Sequence, residues 1–303
     1  MLISKIVRKT QGRVRKEIKG LLTTQAYLPY VGPTSLWIVL FVISPLGVIL
    51  YFSFLSVGPF GQIVPTFTLE NYRTLLRGGY EIVLLRSLLF AFGTNMICLL
   101  IGYPLAYWIV KSGGKWKVIL LFFVIIPSWT CYLIRLYALK TLMGHTGLIN
   151  SILLNLGLIS SPVPMLYNST AVMFGLVYTW LPFMVLPIYA ALDGLDPSLL
   201  EAAVDLGATP FRRFFTVTLP LTKGGIIAGT ILVFIPSLGE WLVPLLLGGA
   251  KVMMVGNLVE HYYIRVGNIP VGSAIATALT AIVLLIIYLS IKVGGEEALE
   301  RIV

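Results

Sequence analysis

The chain has 303 residues, of which 58% are hydrophobic and 11% charged, and its mean hydropathy is +0.94. Soluble domains carry about a quarter of their residues as Asp, Glu, Lys or Arg, so this composition excludes an ordinary water-soluble globule and points to a bilayer. The net charge of +10 does not argue for nucleic acid, because its placement along the chain assigns it to membrane topology and to contact with anionic lipid.

Residues 1–33 form a basic N-terminal segment. Ile3, Val7, Val14, Ile18 and Leu21 recur near one helical face among seven Lys and Arg residues, which predicts an amphipathic helix on the inner membrane surface. The apolar run that follows is too long for the core of a cleavable signal and shows no clear small-residue cleavage site. Six stretches are long and apolar enough to cross ~30 Å of hydrocarbon as helices: 34–57, 84–110, 118–139, 171–192, 225–247 and 271–291. They define one all-α, six-span domain over 34–292, followed by a short tail over 293–303. With the N-terminus inside, 15 of the 22 basic residues fall on the inner side, which sets both termini in the cytoplasm.

Between the spans, the outer stretches 68–76 and 147–159 carry short helical patterns. Cys98 and Cys131 fall inside predicted spans and read as apolar packing residues. His145 and His261 are too far apart in the sequence to suggest a metal site, and no cofactor is expected. Gly113-Gly114-Lys115 lacks the earlier Gly and the Ser or Thr of a phosphate-binding loop, so it reads as a short turn and the chain is not expected to hydrolyse ATP by itself. No inverted repeat is visible, which disfavours a secondary transporter.

The inner stretch 193–224 interrupts this apolar sequence with two short helices set at an angle. Asp196 caps the first, Pro197 opens it, and Gly207 supplies a left-handed stop. Thr209 and Pro210 repeat the start signal for the second, which is expected to gather Phe211, Phe214 and Phe215 on one face and Arg212 and Arg213 on another. Such a loop is a rigid docking surface.

The spacing of Glu201-Ala202-Ala203, Gly207, Val217, Thr218 and Leu219-Pro220 resembles the EAA loop of permease subunits in binding-protein-dependent ABC importers, with Val217 where the family usually has Ile. The segments LIRLYALKTLMGHTGLIN, YNSTAVMFGLVYTWLPFMVLPIYAALDGLDPSLLEAA and IAGTILVFIPSLGEWLVPLLLGG are similar to the first permease subunit of spermidine/putrescine importers. KGGIIAG at 223–229 departs from that pattern by lacking a Pro before the Ile run, and GHTG at 144–147 replaces the more usual Asn-Gly turn. The resemblance implies a type I ABC importer permease fold. It also implies that Glu201, Ala202, Ala203, Gly207, Phe211, Arg212, Phe214, Phe215 and Pro220 form the coupling element that docks on an ATPase.

The partners implied are two ATPase copies, a second permease subunit forming a heterodimer, and an extracytoplasmic binding protein. The expected function is ATP-driven import of a polyamine by alternating access. The alternatives are an ABC importer for another solute, such as an opine or ferric iron, and an ion-driven secondary transporter.

Among residues assigned to spans, Glu240 is the only carboxylate, and a charge at that depth calls for a functional reading. Two readings stand. Glu240 with Trp241 contacts a transported ammonium by charge and cation–π attraction, or Glu240 forms a structural ion pair with Arg135. Trp129, Tyr132, Tyr178 and Trp180 either line the same pathway or belong to an interfacial aromatic belt.

Overall fold

The computed structural model describes residues 24–294, so the expected amphipathic helix in 1–22 and most of the tail lie outside the described residues. The chain divides into two units, Met1–Phe52 and Ser53–Val303. In the first, helix α1 (Thr24–Ile38) runs through a π-helical turn (Val39–Ile43) into α2 (Ser44–Ser53). The stretch Val31–Ser53 is apolar enough to span a membrane, and none of its most apolar window is buried within the chain. Such a helix is suited to lipid or to another subunit.

The second unit opens with a feature the sequence reading lacked, an antiparallel hairpin of β1 (Leu55–Val57) and β2 (Ile63–Phe67). The expected first span therefore ends short of residue 57. Asn71 explains the fit: buried on α3 (Glu70–Arg77), it donates two hydrogen bonds, 2.8 Å to the Ser53 carbonyl and 2.7 Å to the Leu55 carbonyl. These satisfy backbone acceptors freed where the helix stops.

The long helices then follow: α4 (Tyr80–Ser112), α5 (Gly114–Trp129), α6 (Tyr132–Leu142), the short α7 (Leu148–Asn155) and α8 (Ser169–Asp193). After them come α9 (Pro197–Asp205), α10 (Pro210–Arg213, carried on by a π turn to Leu221) and α11 (Lys223–Leu238). The last are α12 (Val255–Glu260) and α13 (Ile269–Gly294). Four stretches among the described residues cross a membrane by length and composition, and two bent pairs bring the number to six.

The bent pairs correct two expectations. The third span is not one helix over 118–139: α5 and α6 meet at 96°. Pro127 brings no N–H to the last turn of α5, Thr130 is extended, and the helix restarts after Cys131. Cys131 is accordingly exposed at the break and is not packed inside a span, whereas Cys98 is fully buried. The fifth span stops at Leu238 and does not run to 247, and Pro244–Gly248 forms a separate π-helical turn. Where α11 begins, the chain bends by 63° at Thr222 even without a Pro before the Ile run. The buried Thr222 hydroxyl sits 2.8 Å from the Thr218 carbonyl and 2.9 Å from the Tyr103 hydroxyl, anchoring the bend to α4.

Helices α4, α8 and α11 pack on one another at the centre. One apolar cluster joins Cys98, Tyr103, Ile109, Met184, Ile188 and Val233, and another joins Leu136, Leu176, Val243, Leu247 and Met254. With lipid as solvent the apolar drive between helices is weak, so close backbone approach by small residues takes over. At Gly225 a Cβ would sit 2.6 Å from the Pro187 carbonyl oxygen and 2.6 Å from Ala191 Cβ. Gly225→Ala is therefore expected to separate α8 from α11 and cost about 1–3 kcal/mol. At Gly239, where a Cβ meets nothing within 4 Å and φ is −87°, the same change should be near neutral. Thermal unfolding of the purified chain in nanodiscs checks this: equal midpoints for the two variants would refute the packing argument.

Candidate functional site: an exposed elbow and a buried carboxylate

The stretch after α8 folds as its punctuation predicts. The Asp196 side chain accepts a 2.9 Å hydrogen bond from the Ser198 N–H at the start of α9, and that bond holds its carboxyl below the usual carboxylate range. Gly207 takes φ +78°, with its N–H bonded to the Val204 carbonyl and the next N–H to Ala203. This closes α9 in the left-handed conformation that favours glycine. Thr209 Oγ1 then accepts from the Arg212 N–H to start α10.

The elbow presents Glu201, Ala202, Phe211, Arg212, Phe215 and Pro220 to solvent, with Ala203 half-buried. Phe211, Phe214 and Phe215 form one run of ring contacts, with Phe215 4.6 Å from Phe211 and 5.0 Å from Phe214, but they differ in what else they touch. Phe211 and Phe215 stack at 4.6 Å and stay exposed, whereas Phe214 packs edge-on against Tyr103 and Tyr107 of α4 at 5.5 and 6.1 Å. A π turn over 214–218 follows α10 directly and carries the chain on toward Leu219. Phe214 thus plugs the elbow into the bundle beside the Tyr103–Thr222 contact. A second tie was missed by sequence reasoning: Lys117 at the start of α5 pairs with Asp193 at the end of α8, where the Tyr189 hydroxyl also reaches Asp193. Nothing in their spacing, 76 residues apart, signalled it.

At the opposite end of α11, Glu240 is 6% exposed and lies in the break itself. Its Oε1 accepts from the N–H groups of Trp241 and Leu242 at 3.1 and 2.9 Å, capping the turn that follows, and its Oε2 accepts from the Tyr132 hydroxyl at 2.7 Å. Asn257 of α12, also missed from the sequence, donates a 2.6 Å bond to the Trp241 carbonyl and accepts from the Met254 N–H. Each polar backbone group at this break so described has a partner. A carboxylate at a helix start is further favoured by the local dipole.

The direct Arg135–Glu240 ion pair is not formed; among the described residues the ion pairs are Arg73–Glu70, Lys117–Asp193 and Arg265–Glu260. The 96° break turns Arg135 back on its own span. Its Nη1 donates 2.8 Å to the Pro127 carbonyl, which a continuous helix would have occupied, and its guanidinium lies 5.5 and 5.9 Å from the Tyr132 and Tyr178 rings. Tyr132 thus stands between the two charges, touching both. Arg135 Nε and Trp180 Nε1 are buried without a hydrogen-bond partner. The structure therefore gathers Glu240, Tyr132, Arg135 and Tyr178. Trp180 packs against Phe183 at 5.5 Å and borders both central clusters. Trp241 is partly exposed, and Trp129, 72% exposed beside Phe122, stands apart from the cluster.

The chain is similar to known proteins in sequence and in fold. Spermidine/putrescine transport system permease protein PotB of Haemophilus influenzae is 44% identical over 252 residues, covering 83% of this chain and 88% of that one. PotB of Escherichia coli is 41% identical over 254 residues, covering 83% and 92%. In fold, the chain is similar to a subunit of a bacterial ABC transporter involved in the import of the acidic polysaccharide alginate, with a TM-score of 0.66 over 93% of this chain and 98% of that one at 17% identity. The description "Binding-protein-dependent transport system inner membrane component" matches residues 85–293, from α4 to the end of α13, and the chain belongs to that family.

Proposed function

We propose that the chain is a transmembrane permease subunit of an ATP-driven importer for polyamines of the spermidine/putrescine kind. The observation that carries this reading is the 41–44% identity, over 83% of the chain, to PotB permeases from two organisms. The chain itself hydrolyses nothing. It works with two ATPase copies, a second permease subunit in a heterodimer and an extracytoplasmic binding protein, and both its termini face the cytoplasm. The charge asymmetry of the sequence supports that orientation.

The elbow over 193–224 is the coupling element. Glu201, Ala202, Phe211, Arg212 and Phe215 are its exposed docking residues. Its rigidity is supported by two side-chain caps and the Gly207 turn, and its connection to the bundle by Phe214 and Thr222. Movement of an ATPase against the elbow is passed through those contacts to α4 and α11. Helix α11 ends at Leu238, two residues before Glu240, so an event at the inner face reaches the carboxylate along one helix of 16 residues, ~24 Å long.

Glu240 supplies negative charge to a passing ammonium, with Tyr132, Tyr178, Trp180 and Trp241 as aromatic walls. A polyamine needs such compensation, because several ammonium groups cross surroundings of low dielectric. Arg135 keeps the site from holding the amine permanently by lowering its net charge. ATP closes the ATPases and opens the pathway outward to the loaded binding protein; hydrolysis reverses it.

Reconstitution of the whole complex in proteoliposomes tests the reading. Labelled spermidine should accumulate only with ATP and loaded binding protein; accumulation without an ATPase partner would overturn it. Gly207→Val forces a β-branched residue into φ +78°, which costs roughly 1–3 kcal/mol locally. It should cut uptake and ATPase co-purification at least about tenfold while the chain still inserts, whereas normal values for both would remove the elbow from the coupling role. Glu240→Gln keeps an acceptor oxygen for the Trp241 and Leu242 N–H groups, so the complex should assemble with a stability loss of about 1 kcal/mol. Its uptake should fall about tenfold or more. If uptake and assembly instead fell together and Tyr132→Phe did the same, the carboxylate would be a structural cap and not a substrate contact.

A further inference from the structure

A second carboxylate sits near the same break, outside the cluster described above. The segment after the π turn folds back as α12 and a second π turn (His261–Val266), which line a half-open cavity of about 270 Å³. Leu245, Met253, Asn257, Glu260, His261 and Arg265 are among the residues that line it. The Glu260 side chain is 15% exposed and, among the described residues, is paired at 3.4 Å with Arg265 Nε, whose own side chain is 56% exposed. An ion pair with one partner largely in solvent is worth little and yields readily to a competing cation. The inner charge, Glu260, is the less screened of the two, so its field governs the cavity. Leu245 and Met253 give apolar wall beside it, which matches a ligand made of ammonium groups joined by methylenes. Asn257 belongs to the cavity lining and also bonds the Trp241 carbonyl, the residue next to Glu240.

We infer that this cavity is an acceptor site for a primary alkylammonium group, in which Glu260 replaces Arg265 with the incoming amine and hands it toward Glu240. The inference rests on the proposed polyamine import for the identity of the amine and for the outward position of the 249–266 segment. It adds a second carboxylate at the end of α12, so that a di- or triamine exchanges one charge partner for the next and never loses both. Arg265 closes the site when the amine has left.

The test uses the whole complex in nanodiscs, with Met253→Cys in a Cys131→Ser background and the buried Cys98 left in place. The thiol is reacted with 2-aminoethyl and with 2-sulfonatoethyl methanethiosulfonate, and the ratio of the two rates is divided by the same ratio for a small free thiol. We expect the normalised ratio to favour the cationic reagent about fivefold or more. Glu260→Gln should bring it to about one, Arg265→Gln should raise it, and spermidine should slow labelling about threefold or more. A normalised ratio of one or below in the parent, no response to Glu260→Gln, or no protection by spermidine in a complex that imports spermidine would each overturn the assignment. If weaker capture of the unliganded binding protein were the only effect of Glu260→Gln, the residue would be a docking contact, which also overturns it. A complex that imports no polyamine would sink the functional reading separately, and the charge ratio would still decide the cation site.

Discussion

Two of the membrane-spanning stretches are broken, and in hydrocarbon a broken helix leaves backbone groups that water cannot satisfy. The rest of the structure is arranged around that constraint. At the first break the freed Pro127 carbonyl is taken by Arg135, with Thr130 Oγ1 at 2.8 Å as well. At the second, the Trp241 and Leu242 N–H groups go to Glu240 and the Trp241 carbonyl to Asn257. The two breaks face each other through Tyr132. The side chains that rescue the backbone are therefore the same ones that bring charge and aromatic surface to one place. A straight third span would free neither Arg135 nor Tyr132 for this arrangement, and a straight fifth span would have no use for Glu240 as a cap.

How much of this was legible in the sequence differs by element. The elbow was readable almost residue by residue, because Asp196, Pro197, Gly207, Thr209 and Pro210 act locally through caps and allowed φ. The helices themselves were readable from apolar length. The breaks were not read as breaks: Pro127, Pro236 and Gly239 lie beside them, but whether a proline kinks a helix or ends it depends on what satisfies the freed carbonyl, which is a tertiary matter. The contact of Phe214 with Tyr103 and Tyr107 joins residues more than a hundred positions apart, which no local pattern signals. Asn257, Lys117–Asp193 and the β1–β2 hairpin depend on partners distant in sequence or on short polar stretches with no strong pattern. Of the two readings left open for Glu240, the direct pair with Arg135 assumed equal depth along two straight helices, and one of those spans turns by 96°.

Membership of the binding-protein-dependent permease family gives these features a common purpose. An importer of this kind needs a stiff element at one membrane face and a responsive one within the bilayer. Helix α11 links the two, with Thr222 and Phe214 near one end and Glu240 just past the other. Close packing at Gly225 and the Tyr103–Thr222 bond tie that helix to α8 and α4, so the load is shared by the centre of the bundle rather than absorbed by a loop. The lipid-like exposure of the aromatics on α5, Trp129 among them, fits a face that stays outside this path.

The central claim is that the elbow lies on the cytoplasmic side and is covered by an ATPase there. Asp205, exposed on α9, offers the most direct measurement. Asp205→Cys in a Cys131→Ser background is labelled with a membrane-impermeant maleimide in intact spheroplasts and in inside-out vesicles, the latter with and without the ATPase subunits. The account predicts no reaction from outside, fast reaction from inside, and protection of the inside thiol when the ATPase is bound. Rapid labelling in intact spheroplasts would contradict the orientation and, with it, the coupling role of the elbow.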